Sequence, residues 1–483
     1  MEKQLILFLI VMLPVAGAFF LPVVGRFSEA VRNRLAFLLV AASFVLSLTL
    51  LPSVLNNQVI TISQNLPLGF NFILTADALA VFMAMVSSFI SAIIIVYSFT
   101  YISHYENRGE YYLMVVLFLG AMMGLVFSGS LILLYVFWEI TGITSWRLIG
   151  FFREKQHVLR ADKAFLMTVF GALLMLIGFI RLYVETGSFD LQVIKEAVKI
   201  HPLSGLTVAL IMAGILSKSA TLPLHTWLPD AGVAPSPVTA LLHAAVLVKI
   251  GVYVFARLFV VTMPLDIPWM NVIAIIAAAS ALVSAGAALI DTDLKRIIAY
   301  STISQIGFIF LGFTVSNEIG VAGSLLYILM HGLAKAGLFL CAGIIEQNTK
   351  TKDITKLGGL MYTMPVTALS FLFCSFSVMG IPPFGGFFAK YMVIAGTLQA
   401  GHLAIAFVFL FGAVLTILYL FRVFNMVFMG DVGSSSAKEG SPSMVFCVAL
   451  FAVLSLLGGI LISYPNNMIA IVIKQMITGS IPT

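Results

Sequence analysis

Apolar segments of about 20 residues recur along almost the entire chain, and this repetition is the strongest constraint on its fold. An α-helix of that length crosses the hydrocarbon core of a bilayer, whereas membrane β-strands are about half as long and alternate polar with apolar residues. Of the 483 residues, 61% are hydrophobic and only 10% are charged. The sequence therefore predicts an all-α integral membrane protein.

Fourteen membrane spans are predicted from the distribution of apolar residues. The first is interpreted as a retained helix rather than a signal peptide, because no small-residue cleavage site follows the apolar run of residues 1–20. Residues 55–75 alternate apolar with polar side chains and are predicted to form a small surface hairpin. Residues 431–443 form a low-complexity linker. The predicted spans lie near residues 4–24, 34–54, 77–101, 111–128, 130–151, 162–183, 205–223, 237–262, 270–290, 296–315, 320–345, 362–397, 403–429 and 443–463.

Lysine and arginine residues fall mainly in the connections on one side of the predicted membrane. In membrane proteins such an excess marks the cytoplasmic side. Only Lys195 and Lys199 lie clearly in a connection on the other side. Both termini are therefore predicted on the non-cytoplasmic side of a cell membrane, taken to be that of a prokaryote. The residues of the positive side are Arg26, Arg32, Arg34, Arg108, Arg153, Lys155, Arg160, Lys163, Lys295, Arg296, Lys350, Lys352, Lys356 and Lys438.

Composition argues against several other classes of function. The net charge of +6 follows from these connections and does not indicate nucleic-acid binding. Cys341, Cys374 and Cys447 lie far apart in apolar segments and are expected to be packing residues. No spacing typical of a haem, iron–sulfur, zinc or nucleotide site occurs in the sequence. The chain itself is expected to hold no cofactor and no metal.

Two of the predicted spans contain prolines that should interrupt the helix. In span seven Pro223 follows Lys218, and in span twelve Pro382 and Pro383 precede Lys390. Broken helices are tolerated at membrane depth where they line a cavity or are buried in protein. Because the breaks lie five spans apart, spans four to eight and nine to thirteen are predicted to be two inverted five-helix repeats. The resulting parts of the chain are residues 1–110 with three N-terminal spans, 111–262 with the first repeat, 270–429 with the second repeat, and 443–483 with the last helix and tail.

Four lysines lie within apolar segments that should cross the membrane: Lys218, Lys249, Lys335 and Lys390. A lysine at the centre of a membrane helix costs roughly 2.5–3.5 kcal/mol on insertion scales, so such residues usually have a function. Burial favours the neutral amine and a nearby carboxylate favours the charged form, so small changes in pairing can load or release a proton. The four lysines therefore predict a path for protons through the apolar body.

Three further residues complete this predicted path. Glu139 lies within span five with no charged neighbour within a helical turn, and the lysine of span seven is its expected partner. His331 is four residues before Lys335, so the two share a helix face. His243 is six residues before Lys249 and lies on a different face. A purely structural ion pair for the glutamate, and core packing for the histidines, are the alternative interpretations.

The remaining charges of the spans are expected near helix ends. Asp77 opens span three and Asp293 precedes span ten, and both are predicted to be N-caps. Asp230 follows the break in span seven and is predicted to be a local cap. The arginines expected to extend toward the membrane surface are Arg147, Arg181, Arg257 and Arg422.

Five segments resemble the antiporter-like subunits shared by respiratory complex I, Mrp-type cation/proton antiporters and membrane-bound hydrogenases. The longest, from Lys218 to Tyr253, reads KSATLPLHTWLPDAGVAPSPVTALLHAAVLVKIGVY. The resemblance covers about residues 75–430. The other segments are FWEITGITS at 137–145, DLKRIIAYSTISQIGF at 293–308, HGLAKAGLFLCAG at 331–343 and GIPPFGGFFAK at 380–390.

The resemblance implies the fourteen-helix fold with inverted repeats and gives roles to matching residues. Arg147 departs from the apolar residue that is usual at its position. Because the chain ends soon after span fourteen, it is expected to lack the long lateral helix of the distal complex I subunit and the C-terminal extension of the largest Mrp subunit. The matching residues are Glu139 and Lys218 for the family's ion pair, Lys249 for the connecting lysine, Lys390 for the terminal lysine near the exit, and His243, His331 and Lys335 for the central polar axis.

The predicted function is proton translocation by an antiporter-like subunit of a multisubunit, redox-driven membrane complex related to complex I, membrane-bound hydrogenases or sulfur reductases. Such a complex is an oxidoreductase, but no redox catalysis is expected in this chain. Iron–sulfur or other redox centres are expected in peripheral partner subunits, together with further antiporter-like and small membrane subunits. The alternatives are a subunit of an Mrp-type Na⁺/H⁺ antiporter, an energy-coupling subunit for inorganic-carbon uptake, and a structural membrane anchor.

Overall fold

The chain is almost entirely α-helical in the part that the computed structural model describes, which is residues 2–65, 67, 71–200, 202–430 and 437–478. Two π-helical segments, Leu241–Ala245 and Ala256–Thr262, interrupt the regular helix of span eight. The α-helices are α1 (Glu2–Phe27), α2 (Glu29–Leu55), α3 (Ala78–Tyr101), α4 (Arg108–Val126), α5 (Leu131–Ile149), α6 (Lys155–Thr186), α7 (Leu191–Ala197), α8 (Gly205–Lys218), α9 (Trp227–Asp230), α10 (Ser236–Ala240), α11 (Leu247–Phe255), α12 (Ile267–Ile290), α13 (Leu294–Thr314), α14 (Glu318–Thr349), α15 (Leu360–Thr363), α16 (Pro365–Met379), α17 (Gly385–Gln399), α18 (Leu403–Phe428), α19 (Pro442–Ile460) and α20 (Ser463–Thr478).

The length and composition of these helices confirm an all-α integral membrane protein. Twelve helical stretches in the described residues are long and apolar enough to cross a membrane, and α8 and α16 are two shorter apolar helices. Each predicted span coincides with one helix or with a series of shorter helical segments. The number of fourteen crossings and the inverted repeats stay predictions.

Helices begin where short polar side chains can accept hydrogen bonds from the first free backbone amides. The carboxylate of Asp77 accepts from the amide of Ala80 at the start of α3. Asp293 accepts from the amides of Lys295 and Arg296 at the start of α13. Both predicted N-caps are therefore confirmed.

Both predicted helix breaks are present. The first, after α8 ends at Lys218, is a run of turns that contains Pro223. The second separates α16 from α17 and contains Pro382 and Pro383. It opens at Gly380, whose φ of +84° is a backbone conformation that glycine adopts without the steric cost of a Cβ atom.

The predicted surface hairpin is also confirmed. Strand β1 (Ile60–Asn65) pairs antiparallel with strand β2 (Asn71–Ala76), in a register that places Ile60 opposite Ala76. Most of the turn between the strands, residues 66 and 68–70, lies outside the described residues, as do residues 431–436 of the predicted linker. The backbone of β2 bonds to the segment after α4, because Thr75 donates to Phe127. The hairpin is thereby fixed against the helical body.

Burial divides the helices into central and peripheral ones. In α13 and α14, 94% of the residues in the apolar stretch of the helix are buried inside the protein, against 33% in α1, α2 and α18. A helix that is buried on all sides needs no lipid-facing stripe and can carry polar residues that bond to neighbouring helices. Helices α13 and α14 therefore form the centre around which the candidate site is built.

Candidate functional site

The four lysines predicted from the sequence are all buried in the structure. Lys218, Lys249, Lys335 and Lys390 have exposed fractions of no more than 4%. Among the described residues, no carboxylate lies within ion-pair distance of any of the four. A buried ammonium without a counter-charge is costly, so neutral partners must solvate each amine or the amine must shed its proton.

A direct contact between two of the predicted site residues, Lys249 and His331, joins α11 to α14. The Nζ atom of Lys249 lies 2.6 Å from Nδ1 of His331, and both side chains are fully buried. At this distance one nitrogen must carry the proton and the other must offer a lone pair. Lys249 lies on the nine-residue helix between the two π-helical segments. Such segments are frequent at functional sites because they widen a helix locally.

Lys335 lies one turn beyond His331 on α14, as the sequence predicts, but it has different partners. Its Nζ atom donates to the hydroxyl of Ser301 at 2.5 Å and to the carbonyl of Ile298 at 3.1 Å. Both acceptors belong to α13. The histidine and the lysine therefore connect α14 to two different neighbours, α11 and α13.

A network of hydroxyl and amide groups continues from Ser301, and the sequence analysis does not predict it. The Tyr419 hydroxyl, on α18, donates to the hydroxyl of Ser301 at 2.6 Å. Gln305 donates to Tyr419 at 3.4 Å and to Thr416 at 3.2 Å, and it accepts from the Tyr327 hydroxyl at 2.6 Å. The signal in the sequence is the run of polar residues inside an otherwise apolar span, YSTISQ at 300–305.

Lys390 lies on α17, just beyond the second helix break. Its ammonium faces the ring of Phe308 at 4.7 Å and the ring of Tyr327 at 5.8 Å. Its Nζ atom has no hydrogen-bond partner among the described residues. The aromatic faces stabilise the charged form by cation–π attraction. Since Tyr327 also bonds to Gln305, the network ends beside this lysine.

Lys218 and Glu139 lie close together without forming the direct ion pair that the sequence predicts. Lys218 donates to the backbone carbonyl of Trp138 at 3.2 Å, and its ammonium lies 5.2 Å from the indole ring. The lysine is the last residue of α8, where the helix dipole favours a positive charge. Glu139 is partly buried, interacts with the Tyr135 hydroxyl one turn earlier, and leaves Oε1 without a partner among the described residues.

His243 lies in the first π-helical segment and is fully buried. Neither ring nitrogen has a hydrogen-bond partner among the described residues. The imidazole ring packs 4.4 Å from the ring of Phe339, which lies one turn after Lys335 on α14. Buried polar atoms in proteins are normally satisfied, so an imidazole with two unpartnered nitrogens is unusual in a protein interior.

Several charges outside the row differ from the prediction. Arg257 does not extend to the membrane surface, because it is buried and forms a two-point ion pair with Asp77. Asp230 is not a local cap but pairs with Lys163 at 2.6 Å and with Arg296 at 2.9 Å. In each case an opposite charge from another helix satisfies the group, and a single sequence does not show which helices pack together.

Lys295 is predicted in a positive connection, but its side chain is only 2% exposed. Its Nζ atom lies 2.5 Å from the carboxylate of Glu346 and donates to the carbonyl of Ala234 at 3.2 Å. The side chain is buried because α14 continues to Thr349, one turn beyond the predicted end of span eleven, and brings the glutamate to the lysine. The side of the membrane stays a prediction.

The described residues contain no cluster of three or more histidine, cysteine or acidic side chains that could hold a metal ion. Cys341, Cys374 and Cys447 are all buried among apolar helices.

The fold and this row of lysines define a polytopic helical membrane protein with a polar axis through its centre. The chain belongs to the NADH:quinone oxidoreductase/Mrp antiporter transmembrane family, whose model matches residues 128–416. The matched region contains all four lysines, Glu139 and both histidines of the row.

Two relatives of this chain are components of Na⁺/H⁺ antiporters. The A1 component of the antiporter from Staphylococcus saprophyticus is 32% identical over 489 residues, which is 94% of this chain and 61% of the relative. The A component of the antiporter from Alkalihalophilus pseudofirmus is 37% identical over 381 residues, which is 75% of this chain and 47% of the relative. The chain therefore spans about three-fifths or less of the length of these relatives.

Two solved structures share the fold along nearly the whole chain. A chain of the Mrp complex from Dietzia sp. DQ12-45-1b superposes with a TM-score of 0.89 at 21% identity, covering 99% of this chain and 98% of its own. A chain of the membrane-bound sulfane sulfur reductase, an archaeal respiratory membrane complex, gives 0.90 at 23% identity, covering 98% of both chains. At these identities the likeness concerns the fold alone.

Proposed function

We propose that this chain moves protons along its row of buried lysines, as an antiporter-like subunit of a multisubunit membrane complex. The observation that carries the proposal is the 2.6 Å contact between Lys249 and His331 at the centre of the helices. Two basic nitrogens that share one proton in an apolar interior can pass it between them with little motion.

Contacts on both sides of this pair support a continuous path. Toward the first repeat, Lys218 donates a hydrogen bond to Trp138, the residue before Glu139 on α5. The proposed interaction between Lys218 and Glu139 lies here. Toward the second repeat, Lys335 contacts Ser301, and the hydroxyl and amide network continues to the neighbourhood of Lys390. Hydroxyl groups both donate and accept, so they can relay protons between amines that do not touch.

The proposed roles follow the order of these contacts. The carboxylate of Glu139 modulates the charge of Lys218, and Lys249 connects the two halves of the path. His243, His331 and Lys335 form the central section, and Lys390 is the terminal station. The helix breaks at Pro223, Pro382 and Pro383 free backbone groups near the first and last lysines. In this arrangement the two broken helices occupy equivalent positions in the proposed inverted repeats.

The driving force must come from partner subunits or from an ion gradient. One parent is a redox-driven complex, for which the sulfane sulfur reductase fold is the supporting observation. Its redox centres would lie in peripheral subunits. The other parent is an Mrp-type Na⁺/H⁺ antiporter, which the identity to the A1 and A components of such antiporters favours. Mass spectrometry of the intact complex separates the two, because only the first brings cysteine-rich subunits and iron.

Proton flux in proteoliposomes that contain the purified complex tests the path itself. Lys218→Ala and Glu139→Ala should each abolish coupled transport while the complex still assembles. Lys155→Ala is the control, because this lysine is exposed at the start of α6. Normal flux in a fully assembled Lys218→Ala complex would refute the relay.

A further inference from the structure

A cavity of about 680 Å³ lies where the ends of α3 and α14 meet the starts of α13 and α19. Tyr101, Lys295, Glu346 and Gln347 are among its lining residues. These helix ends belong to the connections whose lysines and arginines predict the cytoplasmic side. The cavity thus reaches from that face toward the central helices α13 and α14.

Both members of the Lys295–Glu346 ion pair line this cavity. Lys295 is buried at 2% exposure, whereas the side chain of Glu346 retains 31% exposure. The carboxylate is therefore the member of the pair that meets solvent. The Oε2 atom of Glu346 is buried against the ammonium of Lys295, while the rest of the side chain is accessible from the cavity.

Hydroxyl groups follow one turn deeper along α14. A Cβ atom at Gly343 would lie 2.5 Å from Cβ of Ser236 and 2.7 Å from the Tyr97 hydroxyl, so both residues contact the α14 backbone at this glycine. Tyr97 donates to the carbonyl of Leu340 at 2.9 Å. The Ser236 hydroxyl is fully buried and has no hydrogen-bond partner among the described residues.

His243, in the first π-helical segment, contacts α14 one further turn along that helix. Its ring packs on Phe339, which is four residues, or about 6 Å, from Gly343 along the helix axis. Its two nitrogens are unpartnered in the described part of the chain, and Phe339 lies one turn after Lys335 on α14. The unpartnered Ser236 hydroxyl and His243 imidazole thus follow one another along α14, beside Gly343 and Phe339.

We propose that this cavity is where protons gain access to the lysine row, with Glu346 as the loading carboxylate. A hydronium ion in the cavity protonates the ionised Glu346 and leaves as water. The carboxylic acid then passes its proton through water held by Ser236 to His243, which passes it to neutral Lys335. Glu346 returns to its ionised form against Lys295, so each cycle moves one proton. The inference rests on the proposed function and adds the route of uptake.

A cysteine placed in the cavity tests the route without altering the proposed carriers. The native cysteines are buried, with exposed fractions of no more than 1%, so an added one is the reactive site. Gln347→Cys lies in the cavity lining, and Gln156→Cys is a matched control on an exposed turn of α6 on the same predicted face. A negatively charged, membrane-impermeant thiosulfonate applied to that face should stop most of the proton flux only in Gln347→Cys.

A substitution that removes the carboxylate of Glu346 provides a second, independent test of the route. Glu346→Gln should lower proton flux on the order of 100-fold, the lower end of what a positioned proton-transfer group contributes. The control Glu154→Gln changes an exposed glutamate at the start of α6 and should leave flux unchanged. Flux at the control level in both Glu346→Gln and labelled Gln347→Cys would overturn the proposed route. If Lys249→Ala nevertheless abolished flux, the relay itself would stand and only its uptake route would be wrong.

Discussion

Asp77→Asn should destabilise the protein strongly although it changes one atom. The carboxylate forms a two-point ion pair with Arg257, one arm of which measures 2.8 Å from Nη2 to Oδ1. It also caps α3 through the amide of Ala80. Asparagine is as good an N-cap as aspartate, so the substitution leaves the cap and removes the charge.

The magnitude follows from the burial of the arginine that remains. The Arg257 side chain is 9% exposed and its Nε donates to Tyr253 at 3.0 Å, so the guanidinium cannot turn to solvent. Removing one partner of a buried ion pair costs about 3–5 kcal/mol, because the other charge stays buried. Because the asparagine oxygen can still accept one hydrogen bond, Asp77→Asn should lower the free energy of unfolding by about 3 kcal/mol. Asp77→Ala also loses the cap, worth about 1 kcal/mol.

Urea unfolding in detergent, followed by tryptophan fluorescence, measures these differences. Arg257→Met should cost less than Asp77→Asn, because Asp77 is 19% exposed and can be solvated or protonated. The double variant should recover most of the loss, since replacing both members of a buried pair is often nearly neutral. A double variant as unstable as the sum of the two single variants would refute the reasoning.

The same ion pair predicts how the stability of the protein changes at acidic pH. Burial opposes the ionisation of Asp77, but the charge and hydrogen bonds of Arg257 outweigh it and hold the pKa of this carboxyl below its usual value. The ion pair therefore contributes fully to the stability of the fold above the ordinary aspartate pKa of about 3.9. This contribution is lost as the pH falls through the lower pKa that Asp77 has in the folded protein. The stability gap between wild type and Asp77→Asn should therefore narrow only below about pH 4.

Two further substitutions test the second helix break and the polar network. Gly386→Ala should lower the free energy of unfolding by about 1–3 kcal/mol, because the added Cβ would lie 1.9 Å from the carbonyl oxygen of Ser377. Gly286→Ala is the control: its Cβ would meet open space, so the substitution should raise the free energy of unfolding by about 0.5–1 kcal/mol. Urea unfolding compares the two variants. Tyr419→Phe removes the hydroxyl that bonds to Ser301 and should slow proton flux without changing assembly; unchanged flux would show that the network is structural.

Hydropathy predicted the positions of the helices because the bilayer imposes one length and one composition on every crossing segment. Caps and breaks were also predictable, since Asp77 or Pro223 acts through its own backbone neighbourhood. The hairpin of residues 60–76 followed from period-two alternation. These features depend on local sequence, which is why a single chain reveals them.

The four lysines could be predicted as site residues because their cost in an apolar segment is visible without a structure. Their partners could not be predicted. Lys249 bonds to a histidine 82 positions away, and Lys335 bonds to Ser301 on another helix. The same limit explains Arg257 and Lys295, whose counter-charges come from distant helices. Which helix faces meet is a property of the packed protein.

The two π-helical segments that flank Lys249 give span eight an unusual mechanical property. Each holds one residue more than an α-helical turn would. If such an extra residue moved from one end of α11 to the other, the helix between would rotate by about 100° and slide about 1.5 Å along its axis. The neighbouring segments at Pro235 and Met263 would stay in place. Lys249 thus lies on a helix that can rotate about its own axis, and this rotation would turn its amine away from His331 without tilting any span.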